Sequence, residues 1–201
     1  MTKKIKNEEM DIVFLLDRSG SMGGIETDTI GGYNSYIKEQ KKNNVKVTTV
    51  LFDDRYEVLH QREKINDIKE LTNKEYFVRG STALLDAIGR TINYMDEQKS
   101  KKAIFVITTD GLENASSEYT KEKIKKLIES HPTWEFIYIG ANIDSYSEGA
   151  SLGISRKNIA NYSKSKKGTK ALFDTIGELS ECMYCEKRID DSWKNNLEQT
   201  E

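Results

Sequence analysis

The feature that most constrains this chain is an apolar segment that leads directly into a turn rich in serine and glycine. From Met10 to Leu16 nearly every residue is aliphatic or aromatic. A run of this kind predicts a strand that is buried on both faces, as in a parallel sheet. The next residues are Asp17-Arg18-Ser19-Gly20-Ser21. They offer one carboxylate and two hydroxyls at the carboxyl end of a strand, where α/β folds place their ligands.

Two later segments place further oxygen atoms at the same predicted edge. The apolar run Lys102 to Thr109 predicts a second central strand, and it stops at Asp110-Gly111. Between the two strands, Arg79-Gly80-Ser81-Thr82 precedes a helical pattern, so Thr82 stands at the expected cap position of a helix. We therefore expect five side chains to meet at one sheet edge: Asp17, Ser19, Ser21, Thr82 and Asp110.

These five side chains supply only oxygen atoms as ligands. Such a set favours a hard divalent cation, with Mg²⁺ expected and Mn²⁺ or Ca²⁺ as alternatives, over zinc or copper. Taken singly, each residue also has a structural interpretation. Ser19, Ser21 or Thr82 could cap a helix, and Asp110-Gly111 could form a plain turn. Their joint occurrence on three loops predicts a metal site.

The pattern Asp-x-Ser-x-Ser, a distant Thr and a distant Asp-Gly resembles the metal-ion-dependent adhesion site of the von Willebrand factor type A family. Here it is carried by Asp17-Arg18-Ser19-Gly20-Ser21, by Gly80-Ser81-Thr82 and by Thr109-Asp110-Gly111. The resemblance implies an α/β fold, doubly wound and Rossmann-like. Its sheet would have six mostly parallel strands in the order 3-2-1-4-5-6, one antiparallel strand near an edge, and helices on both faces.

The remaining pattern fits one such domain over residues 1–201, with a core over about 8–187. Strands are predicted at Val45 to Phe52, Tyr56 to His60, Trp134 to Ile139 and Asn158 to Tyr162. The short connection Asp53-Asp54-Arg55 permits only an antiparallel neighbour for the strand that follows it. Helical spacing predicts five helices, at Thr27 to Asn43, Thr82 to Met95, Tyr119 to Ser130, Asp144 to Leu152 and Thr169 to Lys187.

The resemblance also implies a function. In that family an acidic side chain of a partner protein fills the open coordination position of the metal, so we expect a protein-binding module and not an enzyme. Ser19 and Ser21 would bind the ion directly. The alternative is a Mg²⁺-dependent phosphoryl-transfer or hydrolase enzyme with Asp17 as nucleophile. Neither His60 nor His131 falls in a loop where a base would be needed, which weighs against that alternative.

Composition excludes several other classes. The chain has 31 basic and 33 acidic residues and a net charge of -2, so no bias toward nucleic acid or anionic membrane is expected. Met1 to Glu9 lacks the apolar core of a signal peptide. The longest apolar run is far shorter than the ~20 residues that span a bilayer. These features predict a cytoplasmic protein.

Four minor features have mainly structural interpretations. The basic segment Lys164-Ser165-Lys166-Lys167 is expected to be a solvated loop, and a phosphate site is the alternative. Cys182 and Cys185 lack the further ligands of a zinc site and are expected to be reduced, with a redox pair as the alternative. Glu113 and Asn114 are expected to solvate a loop or cap a helix. Arg79 could pair with a partner carboxylate.

Overall fold

A six-stranded sheet forms the centre of the molecule in the computed structural model, which describes residues 9–185 and 191–198. The strand order is β3-β2-β1-β4-β5-β6, and only β3 runs antiparallel to its neighbour. The predicted fold class and strand order are therefore confirmed. The strands are β1 (Met10–Asp17), β2 (Val45–Phe52), β3 (Tyr56–Lys64), β4 (Ala103–Thr109), β5 (Trp134–Gly140) and β6 (Ile159–Asn161).

Helices cover both faces of this sheet. They are α1 (Glu26–Gln40), α2 (Leu84–Glu97), α3 (Lys121–Glu129), α4 (Ser145–Ser151), α5 (Lys166–Tyr184) and α6 (Asn195–Glu198). Residues of α1 and α5 share one apolar cluster with one face of the sheet, and residues of α2 and α3 share a second cluster with the other face. None of the helices within the described ranges is long and apolar enough to cross a membrane.

Strand β1 lies in the middle of the sheet and contributes to both apolar clusters. Phe14 and Leu16 point to one face, while Val13 and Leu15 point to the other, because successive side chains of a strand alternate. The ring of Phe14 meets Tyr33 of α1 edge-on, with the ring centroids 5.3 Å apart. Burial on both faces explains why the strand has no polar alternation.

The order of the strands places the predicted site at a switch point of the topology. β1 and β4 are neighbours, but the chain leaves β1 toward β2 and leaves β4 toward β5 on the other side. In doubly wound sheets a crevice opens at the carboxyl ends of such a pair. Asp17 is the last residue of β1, and Asp110 directly follows β4, so both lie at this crevice.

Two predicted helix boundaries are wrong in a way that bears on the site. Helix α2 begins at Leu84, so Thr82 is not its cap, and the cap residue Ala83 has no side-chain hydrogen bond. Helix α5 begins at Lys166 instead of Thr169, with Ser165 as its cap. Its predicted end, Lys187, lies outside the described residues. The other helices and strands differ from prediction by a few residues at their ends, apart from β3, which continues past His60 to Lys64.

Candidate metal centre

The loop after β1 brings Asp17 and both serines together. The backbone N–H of Ser19 donates to Asp17 Oδ1 over 2.7 Å, which closes the turn on itself. The hydroxyl oxygens of Ser19 and Ser21 lie 3.0 Å apart. A short 3-10 turn at Gly20–Met22 then carries the chain away from the sheet. Asp17 and Ser19 are buried, whereas Ser21 is exposed at the mouth of the crevice.

Thr82 is held beside this turn by backbone contacts of its own loop. The N–H of Gly20 donates to the carbonyl of Gly80 over 3.2 Å, which joins the two loops. The N–H of Thr82 donates to Asn114 Oδ1 over 2.9 Å, and the carbonyl of Thr82 accepts from the N–H of Asn114 and of Ala115. The loop after β4 therefore holds the backbone of Thr82 in place, and Asn114 joins these two loops and does not cap a helix.

Thr109 orients the carboxylate of Asp17, a role that sequence reasoning missed. The pairing of Leu16 with Thr108 brings Thr109 next to Asp17 on the neighbouring strand. The hydroxyl of Thr109 donates to Asp17 Oδ2 over 2.5 Å. Burial raises the pKa of the Asp17 carboxyl to about 6, although hydrogen bonds from Thr109 and Ser19 oppose the rise. The available signal was a threonine one residue before Asp110, which the sequence does show.

The side chains around Gly111 show whether the predicted residues could hold a metal ion. A Cβ placed on Gly111 would lie 2.9 Å from Thr82 Oγ1, 3.0 Å from Ser21 Oγ and 3.8 Å from Ser19 Oγ. Three hydroxyls on two loops thus face one small space. Asp110 is buried beside it, and its Oδ1 has no hydrogen-bond partner among the described residues. Hydroxyl and carboxylate oxygens suit a hard cation, so the donor set fits a divalent metal.

The predicted residues also line one open cleft of ≈ 710 Å³. Its walls include Ser19, Ser21, Thr82 and Asp110, together with Leu112 and residues of the loop after β5. Asp17 lies beneath the cleft and is fully buried. Leu112 stands at the rim of this cleft and is 57% exposed. Four of the five predicted residues therefore line the same cleft.

Lys164 contradicts the expectation of a solvated basic loop. Its Nζ lies 2.9 Å from Asp110 Oδ2, and it donates a hydrogen bond to the carbonyl of Ser21. The side chain of Lys164 is only 19% exposed. Lys166 and Lys167, by contrast, are exposed at the start of α5. No spacing rule links position 164 to the predicted site, so sequence reasoning could not find this contact.

Arg18, within the motif, ties the loop after β1 to Asp53 and Glu57 near the turn between β2 and β3. Arg18 is fully buried, and it donates to Asp53 Oδ2 over 3.0 Å and to Glu57 Oε2 over 2.6 Å. Arg79 donates to the same Asp53 oxygen over 2.6 Å, so its guanidinium already has a carboxylate partner. Burial would raise the pKa of Asp53, but the hydrogen bond from Arg79 and the charges of both arginines lower it.

Helix α2 is capped by the loop that follows Asp110. Glu113 Oε2 accepts from the N–H of Leu85 over 2.9 Å, and Ser116 Oγ accepts from the N–H of Asp86 over 3.0 Å. These contacts satisfy N–H groups that the first turn of a helix leaves free. The predicted capping role of Glu113 is thus confirmed, although the helix that it caps lies about thirty residues earlier in the chain.

The two cysteines lie far along the chain from these loops. Both are free thiols near the end of α5, with Cys182 partly buried and Cys185 exposed. Within residues 9–185 and 191–198, no group of three or more His, Cys, Asp and Glu side chains is placed to hold a metal. A metal centre in this part of the chain therefore depends on hydroxyl ligands as well as carboxylates.

A doubly wound sheet with a hydroxyl and carboxylate cleft at its switch point defines a class of α/β proteins with a candidate cation site. The family model for the von Willebrand factor type A domain matches residues 12–113, which is half of the chain, and the chain belongs to that family. The match spans all five predicted site residues. Comparison with curated proteins gives no match.

Solved structures agree on the fold. Proximal thread matrix protein 1 (PTMP1) from the mussel byssus has a TM-score of 0.66 at 18% identity, over 85% of this chain and 46% of that one. A form of PTMP1 with a zinc-occupied MIDAS (metal-ion-dependent adhesion site) motif has a TM-score of 0.62 at 16% identity, over 86% of this chain and 46% of that one. The vWF domain of the type V pili tip protein Mfa5 from Porphyromonas gingivalis has a TM-score of 0.65 at 11% identity, over 91% of this chain and 98% of that one. This chain spans less than half the length of PTMP1.

Proposed function

We propose that this protein is a metal-dependent protein-binding module. Its divalent cation would be held by Asp17, Ser19, Ser21, Thr82 and Asp110. The observation that carries the proposal is the convergence of three hydroxyls on the space in front of Gly111, beside a buried carboxylate oxygen of Asp110 that has no partner among the described residues. The zinc-occupied MIDAS motif of the structurally similar PTMP1 supports it.

Mg²⁺ is the proposed ion, because every proposed ligand atom is oxygen. Two carboxylates and three neutral hydroxyls leave a divalent charge only partly compensated wherever a carboxylate contact runs through water. The bound ion would therefore attract a further anionic ligand from the open side of the cleft. We propose that this ligand is the side-chain carboxylate of an Asp or Glu on a partner protein, and that the ion bridges the two chains.

A binding role also agrees with the surroundings of Asp17. Both of its carboxylate oxygens already accept hydrogen bonds and the residue is fully buried, so Asp17 would act on the ion from beneath the cleft, through a remaining lone pair or a water molecule, and is not exposed for attack on a substrate. His131 stacks on Trp134 at the amino end of β5, which is the opposite edge of the sheet from the cleft. His60 lies within β3, buried against Tyr33. We therefore propose no catalytic role for this site.

Calorimetric titration with Mg²⁺ and Mn²⁺ tests the metal site. Thr82→Val removes one proposed hydroxyl ligand and keeps the shape of the side chain, so it should weaken binding of the ion. Ser81→Ala is the matched control, because it removes an exposed hydroxyl from the same loop that is not a proposed ligand. Equal affinities for wild type and Thr82→Val would contradict the assignment of Thr82.

Capture from a lysate tests the partner-binding role. Wild-type protein in Mg²⁺ should retain partners that are lost in EDTA and lost by Thr82→Val, while Ser81→Ala retains them. A partner retained in all four cases would bind another surface, and the metal would then be structural. Phosphatase and nucleotidase assays in Mn²⁺ complete the test. Turnover that Asp17→Asn abolishes would favour the enzyme alternative.

A further inference from the structure

One cationic side chain of the protein itself lies against the proposed metal site. Lys164 belongs to the loop between β6 and α5, yet its Nζ pairs with Asp110 Oδ2 at 2.9 Å. The side chain of Asp110 is 2% exposed in this arrangement. Lys164 also donates to the carbonyl of Ser21 in the loop after β1. The ammonium therefore connects two of the loops that carry proposed ligands.

The loop that carries Lys164 is anchored on both sides. The N–H of Tyr162 donates to the carbonyl of Gly140 over 2.9 Å, which ties the loop to the end of β5. On the other side, Ser165 caps α5 and accepts from the N–H of Gly168 over 3.1 Å. Two fixed ends keep Lys164 close to Asp110, so the ion pair forms at a low entropic cost.

We propose that Lys164 is a built-in competitor for the divalent cation, and that metal binding displaces its ammonium from Asp110. This inference rests on the proposed function. Asp110 has one oxygen paired with Lys164 and another without a partner among the described residues. A divalent ion at the cleft must bind the carboxylate of Asp110, which now pairs with Lys164. The ammonium repels the ion until the ammonium moves away. Lys164 thereby sets the metal concentration at which the site fills.

Calorimetry with Mg²⁺ on Lys164→Met gives the first test. Methionine keeps the length of the side chain and removes its charge. We expect Lys164→Met to bind Mg²⁺ about tenfold more tightly than wild type, the effect of losing roughly one charge-assisted contact. Lys167→Met is the matched control, because it makes the same change in net charge at an exposed residue of the same basic segment, and it should leave the affinity unchanged.

The outcomes separate this inference from the proposed function. If wild type and Lys164→Met bind Mg²⁺ equally, or if the variant binds more weakly, the competitor role is overturned and the metal site stands. If only Lys164→Met binds within the measured range, the competitor role is supported. If neither protein binds a divalent cation, the proposed function fails and the inference fails with it.

Chemical labelling of lysine amines gives an independent readout. In EDTA the amine of Lys164 should react slowly with an acylating reagent, because it is paired and mostly buried. Added Mg²⁺ should increase the labelling of Lys164 several-fold, whereas Lys167 should react equally in both conditions. Asp110→Asn should expose Lys164 to labelling without any metal. Labelling of Lys164 that is the same in EDTA and in Mg²⁺, for protein that calorimetry shows to bind the ion, overturns the displacement.

Discussion

The carboxylate of Asp17 has an energetic cost in the metal-free protein. It is buried at the end of a central strand, and burial raises its pKa to about 6. The charged form is therefore less stable inside the fold than in the unfolded chain, where the pKa of an aspartate is about 3.9. A site that binds a cation can retain such a charge, because the ion compensates it when bound. Asp17 thus illustrates a conflict between folding and binding at one residue.

Asp17→Asn should stabilise the metal-free protein at pH 7 by on the order of 2 kcal/mol. The hydroxyl of Thr109 can accept from the new amide, since it can turn its hydrogen toward the carbonyl of Gly111. Because the folded pKa of Asp17 is raised, its penalty is small below pH ~4, grows between pH ~4 and about 6, and is complete above that. Denaturation in EDTA at pH 4 and pH 7 measures the difference. A gap between the two proteins that does not shrink at pH 4 would contradict this account.

The ion pair of Arg18 and Asp53 is a second buried charge with a large expected effect. Both side chains are fully buried. Asp53→Ala would leave Arg18 without its buried partner, and we expect a loss of about 3–5 kcal/mol in the free energy of unfolding. Glu57→Gln is the control, because Glu57 contacts the same arginine from a side chain that is 49% exposed, and its loss should stay below about 1 kcal/mol. Urea denaturation of both variants decides between these values, and equal losses would contradict the role of burial.

At the scale of elements, the strands were predictable and the helix ends were not. Continuous apolar runs identified β1 and β4, because strands buried on both faces need no polar alternation. The start of α2 was misplaced, because its first N–H groups are satisfied by Glu113 and Ser116 from a distant loop. Local sequence rules look for a hydroxyl cap next to the helix, and Thr82 fits that rule. In the structure its hydroxyl faces the cleft instead.

The contact between α1 and α5 depends on one of two adjacent glycines. A Cβ on Gly32 would lie 2.2 Å from Cδ2 and 2.9 Å from Cγ of the buried Phe173 ring, whereas a Cβ on Gly31 would meet nothing within 4 Å. Gly32→Ala should therefore destabilise the protein by about 1–3 kcal/mol through overpacking. Gly31→Ala should stabilise it by up to about 1 kcal/mol through helix propensity. Thermal unfolding of the two variants tests this pair, and the same sign for both would contradict the packing argument.

At the scale of the whole molecule, the site draws on parts of the chain that are far apart in sequence. The placement of the five residues around one cleft could be predicted, because each lies at or near the end of a strand or the start of a helix, whereas their role as metal ligands stays a prediction. Lys164 lies beyond residues 12–113, which the family model matches, and it reaches the site only because β6 and α5 return to the same edge. Tertiary contacts of this kind have no local signal. The domain limits and the cytoplasmic location stay predictions.

Metal binding should stabilise the whole fold through mass action. A ligand that binds only the folded state adds RT ln(1 + [L]/Kd) to the free energy of unfolding, or about 2.7 kcal/mol when its concentration is a hundred times Kd. The melting temperature of wild type should therefore rise steadily with the logarithm of Mg²⁺ concentration above Kd. Asp17→Asn should start from a higher melting temperature and respond little to Mg²⁺, because the negative charge that would compensate the ion is gone. The same rise in wild type and Asp17→Asn would show that the ion binds elsewhere on the protein.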